Sequence, residues 1–72
     1  MNIGIMGLGQ IAQSMALTIE KMEGVTLVAV AARDINKAVN FSRRFHVKKA
    51  YGSYEDLVKD EEVDLVYVAT PH

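Results

Sequence analysis

The chain contains no cysteine among its 72 residues, so neither a disulfide nor a thiolate metal site can supplement its core. A chain of 72 residues allows one small domain, which buries only about 60% of the surface exposed on unfolding. A net charge of −1 argues against a general attraction to nucleic acid or to an anionic membrane. No apolar run approaches the roughly 20 residues that span a bilayer, and the N-terminus lacks the features of a signal peptide. We therefore expect a cytoplasmic protein with neither nucleic-acid nor membrane partners.

Short apolar runs alternate with amphipathic segments along the whole chain. Runs of the strand type occupy residues 2–6, 25–32, 49–51 and 63–70, and helical periodicity occupies residues 10–22, 35–45 and 54–58. Strands that alternate with helices in this way predict an α/β protein with a parallel sheet and right-handed crossovers. The doubly wound, Rossmann-type arrangement would order the strands 3-2-1-4 between two helical layers.

Polar residues and glycine mark the predicted helix ends. Gly24 follows the first helix, as glycine commonly does just past a C-terminus. Asp34 is well placed to cap the second helix, and Ser53 opens the third in a capping box with Asp56 in the usual Glu position. The second helix is expected to bury Ile35, Ala38, Phe41 and Phe45.

The fourth predicted strand would lie at an open edge of the sheet. It carries neither a lysine nor an inward-pointing charge, which are the usual protections of an edge strand. We therefore expect residues 1–72 to be the N-terminal part of a nucleotide-binding domain. The remaining strands and a C-terminal substrate domain would lie outside this sequence.

A glycine-rich turn directly follows the first strand and has the sequence GLGQIA. It fits the dinucleotide fingerprint G-x-G-x-x-A. Gly7 permits the tight turn, Gly9 lets the backbone approach a pyrophosphate, and Ala12 lets the helix pack closely on the strand. The free backbone N–H groups near Gln10 and Ile11 would then hold the phosphates.

The context of this turn separates dinucleotide binding from its competitors. Glycine-rich turns also occur without any ligand, but this one lies inside a β-α-β unit of about 30 residues, as the fingerprint requires. A methyltransferase would place a similar turn after its first strand, but it usually has an acidic residue at the end of its second. That residue is missing here, so dinucleotide binding is favoured over both alternatives.

The end of the second strand indicates which dinucleotide binds. NAD-selective sites usually place Asp or Glu about 20 residues beyond the fingerprint, where this chain has Ala32. Arg33 follows at once and suits a 2′-phosphate, and Lys37 would add a second positive charge. This favours NADP, although two alternatives stay open: Arg33 and Lys37 as surface charges, or Asp34 as a ribose-binding acid that would favour NAD.

The remaining charged residues favour structural roles. A basic cluster at the end of the second helix complements the helix dipole and consists of Arg43, Arg44, His46, Lys48 and Lys49. The acidic run at residues 60–62 is expected to be a solvated loop. Neither histidine has a partner at metal-ligand spacing, so no metal site is expected.

The last residues follow the fourth strand, at the edge where open α/β sheets bind ligands. Thr70 and Pro71 could line the ribose or nicotinamide end of the cofactor. For His72, a structural role and a role facing the substrate remain equally open.

Three segments together carry a family resemblance: IGIMGLGQIAQ, LVAVAARDINKA and AYGSYEDLVKDEEVDLVYVATPH. They resemble the N-terminal domain of the glucose–fructose oxidoreductase/inositol dehydrogenase (Gfo/Idh/MocA) family. VAVAARD with KAYGSYEDL is especially similar to the NADP-using trans-dihydrodiol dehydrogenase branch. The resemblance implies that Ala32 and Arg33 face the adenosine phosphate, and that Lys37 is the basic residue of the following helix.

The resemblance also implies that these residues bind the cofactor, while the catalytic and substrate-binding groups belong to other parts of the protein. The Glu-Lys-Pro motif of the family and its C-terminal domain are not within these residues, so no catalytic residue is assigned. The implied activity is hydride transfer between NADP(H) and a hydroxyl-bearing carbon of a sugar, polyol or cyclic diol, in a homo-oligomeric full-length protein. The alternative is a non-catalytic module that senses NAD(P).

Overall fold

The computed structural model describes residues 1–70, in which four strands alternate with three helices. The strands are β1 (Asn2–Met6), β2 (Thr26–Ala31), β3 (Lys49–Tyr51) and β4 (Leu65–Val68). The helices are α1 (Gln10–Glu20), α2 (Ile35–Phe45) and α3 (Tyr54–Val58). Two residues with predicted roles, Pro71 and His72, lie outside the described residues.

The four strands form one parallel sheet in the order β3-β2-β1-β4, which confirms the predicted Rossmann-type topology. The register between β1 and β2 shifts at Val28, because Ile3 pairs with Leu27 and the next residue pairs with Ala29. Backbone hydrogen bonds continue just past the strand ends, from Gly7 N–H to the Ala31 carbonyl at 3.0 Å. The carboxyl ends of the strands therefore meet along one edge.

Helices cover both faces of the sheet, which gives three layers. On one face, the buried residues of α1 and Phe41 of α2 pack against Ile5 and Val30. On the other face, Leu57 of α3 is fully buried against a second cluster that includes Ala29 and Ala31. A Cβ on Gly4 would lie 2.9 Å from Leu57 Cδ1, so a larger residue here would force the Leu57 side chain to shift.

The structure confirms the predicted side-chain caps of two helices. Asp34 Oδ1 accepts a hydrogen bond from Asn36 N–H at 2.9 Å at the start of α2. Ser53 Oγ accepts one from Asp56 N–H at 3.2 Å at the start of α3. Each bond satisfies one of the N–H groups that a helix leaves free in its first turn.

Several predicted boundaries and one predicted core residue are wrong. Helix α1 ends at Glu20 rather than at residue 22, because Met22 N–H donates to the Ile19 carbonyl in a tighter turn. The fourth strand is shorter than predicted and spans Leu65–Val68. Ile35, expected in the core, is 48% exposed at the first position of α2, where it lies beside Gly52.

The acidic run at residues 60–62 is not a simple solvated loop, because the Asp60 side chain is only 5% exposed. Its carboxylate accepts hydrogen bonds from Lys49 Nζ at 2.9 Å, from the Tyr51 hydroxyl at 2.7 Å and from Glu62 N–H at 2.9 Å. The Tyr51 and Lys49 bonds lower the pKa of Asp60 to about 2. Lys48 also pairs with Glu62, at 3.4 Å. Both lysines therefore form ion pairs that hold the acidic loop next to β3, and they do not complement the helix dipole at the end of α2 as predicted.

Within residues 1–70, no helix has both the length and the apolar character needed to cross a membrane.

Candidate functional site

A cleft of about 460 Å³ opens at the carboxyl edge of the sheet, above the ends of β1, β2 and β4. The structure brings six of the residues that the sequence predicted for cofactor binding together around it: Gly7, Gly9, Ala32, Arg33, Lys37 and Thr70. These residues come from three separate segments that follow β1, β2 and β4, which the strand order β2-β1-β4 places side by side. Open α/β sheets bind their ligands in this position.

Gly7 turns the chain from β1 toward α1 with a φ of +88°. Residues with a Cβ rarely adopt this conformation. A Cβ at this position would also lie 2.9 Å from the Thr70 backbone nitrogen and 3.1 Å from the Ala69 carbonyl carbon. The fold itself therefore requires glycine here, both for conformation and for space.

Gly9 differs from Gly7, because nothing within the fold requires it to be glycine. Its φ of −94° is open to any residue, and no atom lies within 4 Å of the position that a Cβ would take. It is the N-cap of α1, where no side chain accepts from the free N–H groups, whereas Asp34 and Ser53 cap the other two helices. The space over Gly9 and the uncapped helix end fit an anionic group that approaches the backbone closely.

The first turn of α1 separates residues that face outward from one that packs inward. Gln10 and Ile11 are exposed and lie next to the cleft without lining it, and Ile11 is 61% exposed. Ala12 is fully buried in the cluster beneath α1, where its small side chain packs against the sheet. The residues of this turn therefore border the cleft rather than line it.

The opposite wall of the cleft is basic and comes from the end of β2 and the start of α2. Arg33 and Lys37 are both exposed and line the cleft, while Ala32 is 5% exposed between them and the sheet. Asp34 also lines the cleft, but its carboxylate accepts the capping hydrogen bond from Asn36 N–H. The Arg33 guanidinium carbon lies 5.8 Å from the centroid of the Tyr54 ring.

Three lining residues were not predicted from the sequence: Leu8, Tyr54 and Ala69. Asp34, which the sequence left open as a ribose-binding acid, also lines the cleft. Leu8 and Ala69 adjoin predicted residues, so their positions follow from the turn and from the end of β4. No local pattern identifies Tyr54, which reaches the cleft only because α3 packs beside β2. Among the described residues, no cluster of three or more His, Asp or Glu side chains could hold a metal ion.

Several solved structures share this fold at more than one quarter sequence identity. KijD10, a 3-ketoreductase from Actinomadura kijaniata in complex with TDP-benzene and NADP, superposes with a TM-score of 0.92 at 28% identity. The match covers 99% of this chain and 22% of that protein. A probable dehydrogenase from Thermotoga maritima also gives a TM-score of 0.92, at 27% identity over 99% of this chain and 21% of its own.

Curated relatives are more similar in sequence. Trans-1,2-dihydrobenzene-1,2-diol dehydrogenase of Mus musculus is 44% identical over 96% of this chain, and the Xenopus tropicalis protein of that name is 41% identical over the same share. The chain spans about a fifth of the length of these relatives, 21% and 22% respectively. The family model described as "Oxidoreductase family, NAD-binding Rossmann fold" (Gfo/Idh/MocA) matches residues 1–72. The chain thus belongs to the Gfo/Idh/MocA oxidoreductase family, of which it represents the NAD-binding Rossmann fold.

Proposed function

We propose that this chain is the NADP-binding part of an oxidoreductase that transfers a hydride between NADP(H) and a hydroxyl-bearing carbon of a sugar, polyol or cyclic diol. The observation that carries the proposal is the cleft at the carboxyl edge of the sheet. One side offers the open, uncapped start of α1 at Gly9, and the other offers Arg33 and Lys37. A dinucleotide with an additional phosphate on its adenosine ribose has anionic groups at both ends of such a cleft.

The glycine turn would bind the pyrophosphate. The backbone N–H groups of Gln10 and Ile11 start α1 without a side-chain cap and would donate to phosphate oxygens. The α1 dipole adds partial positive charge at the same place. The open space over Gly9 lets the pyrophosphate come close to the backbone, and buried Ala12 fixes the helix against the sheet.

The basic wall would bind the 2′-phosphate. A guanidinium presents paired donors to phosphate, and Lys37 adds a second charge about one turn into α2. Ala32 offers no carboxylate to compete with a phosphate, and Asp34 is engaged as the α2 cap. KijD10, which was solved with NADP, provides a precedent for this cofactor on a very similar fold.

Thr70 lines the cleft beyond β4, so Thr70 would face the nicotinamide end of the cofactor. The bound nicotinamide would supply the hydride-accepting carbon, while this chain holds and orients the dinucleotide. We further propose that residues 1–72 form the N-terminal part of a longer enzyme. The relatives are about five times as long as the matched region, which leaves room for substrate-binding and catalytic groups elsewhere.

The reaction can be tested in the full-length protein by following the near-ultraviolet absorbance of the reduced nicotinamide. Sugars, polyols and cyclic diols would each be offered with NADP⁺ and, in parallel, with NAD⁺. We expect at least one hydroxyl-bearing class to reduce NADP⁺ with a higher kcat/KM than it reduces NAD⁺. Binding of NADP⁺ without turnover on any of these classes would contradict the oxidoreductase proposal.

The choice of cofactor can be tested separately by calorimetric titration of Arg33→Ala. Loss of one charged hydrogen bond should weaken NADP⁺ binding by about 1.5–3 kcal/mol, while NAD⁺ binding should barely change. Arg43→Ala is the matched control, because Arg43 is an exposed arginine in the last turn of α2 and does not line the cleft. Equal losses for NADP⁺ and NAD⁺ in Arg33→Ala would refute the 2′-phosphate assignment.

A further inference from the structure

Arg33 lies in the cleft with little to hold its position. Its side chain is exposed, and within residues 1–70 it makes no hydrogen bond or ion pair with another side chain. A long, exposed arginine side chain samples many rotamers, and fixing one of them on ligand binding costs entropy. A neighbour that restricts the guanidinium beforehand would strengthen its contact with a ligand.

Tyr54 is placed to act as that neighbour. Its ring centroid lies 5.8 Å from the Arg33 guanidinium carbon, within the distance of a cation–π contact. Tyr54 also lines the cleft, so the contact forms where the ligand would bind and not on a remote surface. Among the described residues, no hydrogen bond involves its hydroxyl, which leaves the ring as the functional part of the side chain.

The Tyr54 ring is itself firmly held. It is half-buried against the cluster around Leu57 on the α3 face of the sheet. Leu57, three residues further along α3, is fully buried, and Ser53 caps the helix directly before Tyr54. The ring is therefore anchored to the core on one side and open to the Arg33 guanidinium on the other.

We propose that Tyr54 is a positioning residue that orients Arg33 toward the cofactor and thereby strengthens selection of a 2′-phosphorylated dinucleotide. This inference rests on the proposed function, because it assumes that Arg33 binds the 2′-phosphate. Tyr54 acts through Arg33 and contacts no reacting atom. The contribution of Tyr54 is expected in the ratio of NADP⁺ to NAD⁺ affinity, since the two cofactors differ only in that phosphate.

The test is a calorimetric titration of NADP⁺ and NAD⁺ into the full-length protein and its variants. Tyr54→Leu keeps an apolar side chain but removes the ring, and should lower the NADP⁺ to NAD⁺ affinity ratio about two- to fivefold, the range of a cation–π contact at an exposed site. Tyr54→Phe keeps the ring and should preserve the ratio. In an Arg33→Ala background, Tyr54→Leu should have no further effect on the ratio.

The outcomes separate this inference from the proposed function. A wild-type protein that binds both cofactors equally would overturn the NADP proposal and this inference together. A wild-type preference for NADP⁺ that survives in Tyr54→Leu would overturn only the positioning role. The same holds for a ratio that falls as much in Tyr54→Phe as in Tyr54→Leu, because the hydroxyl and not the ring would then be responsible.

A second measurement needs no destabilising substitution and so remains decisive if Tyr54→Leu fails to fold. The ring current of Tyr54 should shift the NMR signals of the Arg33 side-chain protons upfield in the free wild-type protein and in Tyr54→Phe. Arg43, which does not lie against Tyr54, is the internal reference and should show ordinary shifts. Ordinary shifts for Arg33 as well would overturn the inference.

Discussion

Substitution by alanine should have different consequences at Gly7 and at Gly9, although both glycines belong to one fingerprint. At Gly7, alanine would have to adopt a φ of +88°, which is strained for a residue with a Cβ. Its Cβ would also lie about 3 Å from backbone atoms of Thr70 and Ala69, which leaves no space for it. At Gly9, the φ of −94° and the empty surroundings within the chain accept alanine. The first substitution should damage the fold, and the second should damage ligand binding.

The expected loss for Gly7→Ala follows from its two defects. Positive φ costs a residue with a Cβ about 1–2 kcal/mol. Overpacking against rigid neighbours costs about 1–3 kcal/mol more. The sum of about 2–5 kcal/mol is a large fraction of the stability of a small domain, and each kcal/mol lowers Tm by about 4–8 °C.

Two small effects nearly cancel in Gly9→Ala. Alanine is a poorer N-cap than glycine, which lowers stability by up to about 1 kcal/mol. Alanine also raises stability by about 0.4–1 kcal/mol, because it reduces the conformational entropy of the unfolded chain. Stability should therefore stay within about 1 kcal/mol of wild type. The new methyl group occupies the space assigned to the pyrophosphate, so binding should weaken by at least one charged hydrogen bond, about tenfold or more.

Thermal unfolding followed by circular dichroism, combined with calorimetric titration, would measure both effects. Gly9→Ala should weaken NADP⁺ and NAD⁺ binding equally, because the two cofactors share the pyrophosphate. This outcome differs from the selective loss expected for Arg33→Ala. The reasoning would be refuted if Gly9→Ala kept wild-type affinity, or if Gly7→Ala kept the wild-type Tm.

Three further predictions concern the core, the acidic loop and the α2 cap. Leu57→Ala should destabilise the fold by about 2–5 kcal/mol in denaturant unfolding, because a fully buried side chain is removed. A loss of stability below about 1 kcal/mol, as at an exposed position, would contradict the burial of Leu57. Asp60 has a pKa lowered from 3.8 to about 2, so its stabilisation is complete above pH 3.8 and is lost as the pH falls through 2. Asp60→Asn should flatten the pH dependence of the urea midpoint between pH 3.8 and 2. An unchanged pH dependence would show that the hydrogen bonds of Lys49 and Tyr51 to Asp60 do not stabilise the fold. Asp34→Ala should cost about 1 kcal/mol of stability as a lost cap and leave NAD⁺ affinity unchanged, whereas weaker NAD⁺ binding would identify Asp34 as a ribose ligand.

Much of the fold is predictable from the sequence because its signals are local. The alternating periodicities, the capping residues Asp34 and Ser53 and the topology rules lead to the order 3-2-1-4 that the structure confirms. Periodicity fails at Ile35, which is 48% exposed although its position falls on the apolar face of the predicted helix. It also fails at Asp60, whose burial depends on partners in β3 that lie nine and eleven positions earlier.

In the candidate site too, residues within local motifs are predictable from the sequence, whereas residues brought in by tertiary packing are not. The glycine turn and the Ala32–Arg33 pair lie within short motifs, so the sequence alone predicts them and the fold brings them to one cleft. Tyr54 lies on α3, 21 positions beyond Arg33, which precedes α2, and only the packing of α3 brings the two together. The binding roles of the predicted residues stay predictions until a cofactor is observed in contact with them.

The most direct test of the central claim is a crystal structure of the full-length protein with NADP⁺. We expect pyrophosphate oxygens at about 3 Å from the backbone nitrogens of Gln10 or Ile11, above Gly9. We also expect the 2′-phosphate in hydrogen-bonding contact with the Arg33 guanidinium. A pyrophosphate bound away from this turn, or a 2′-phosphate directed into solvent away from Arg33, would contradict the proposed mode of NADP binding.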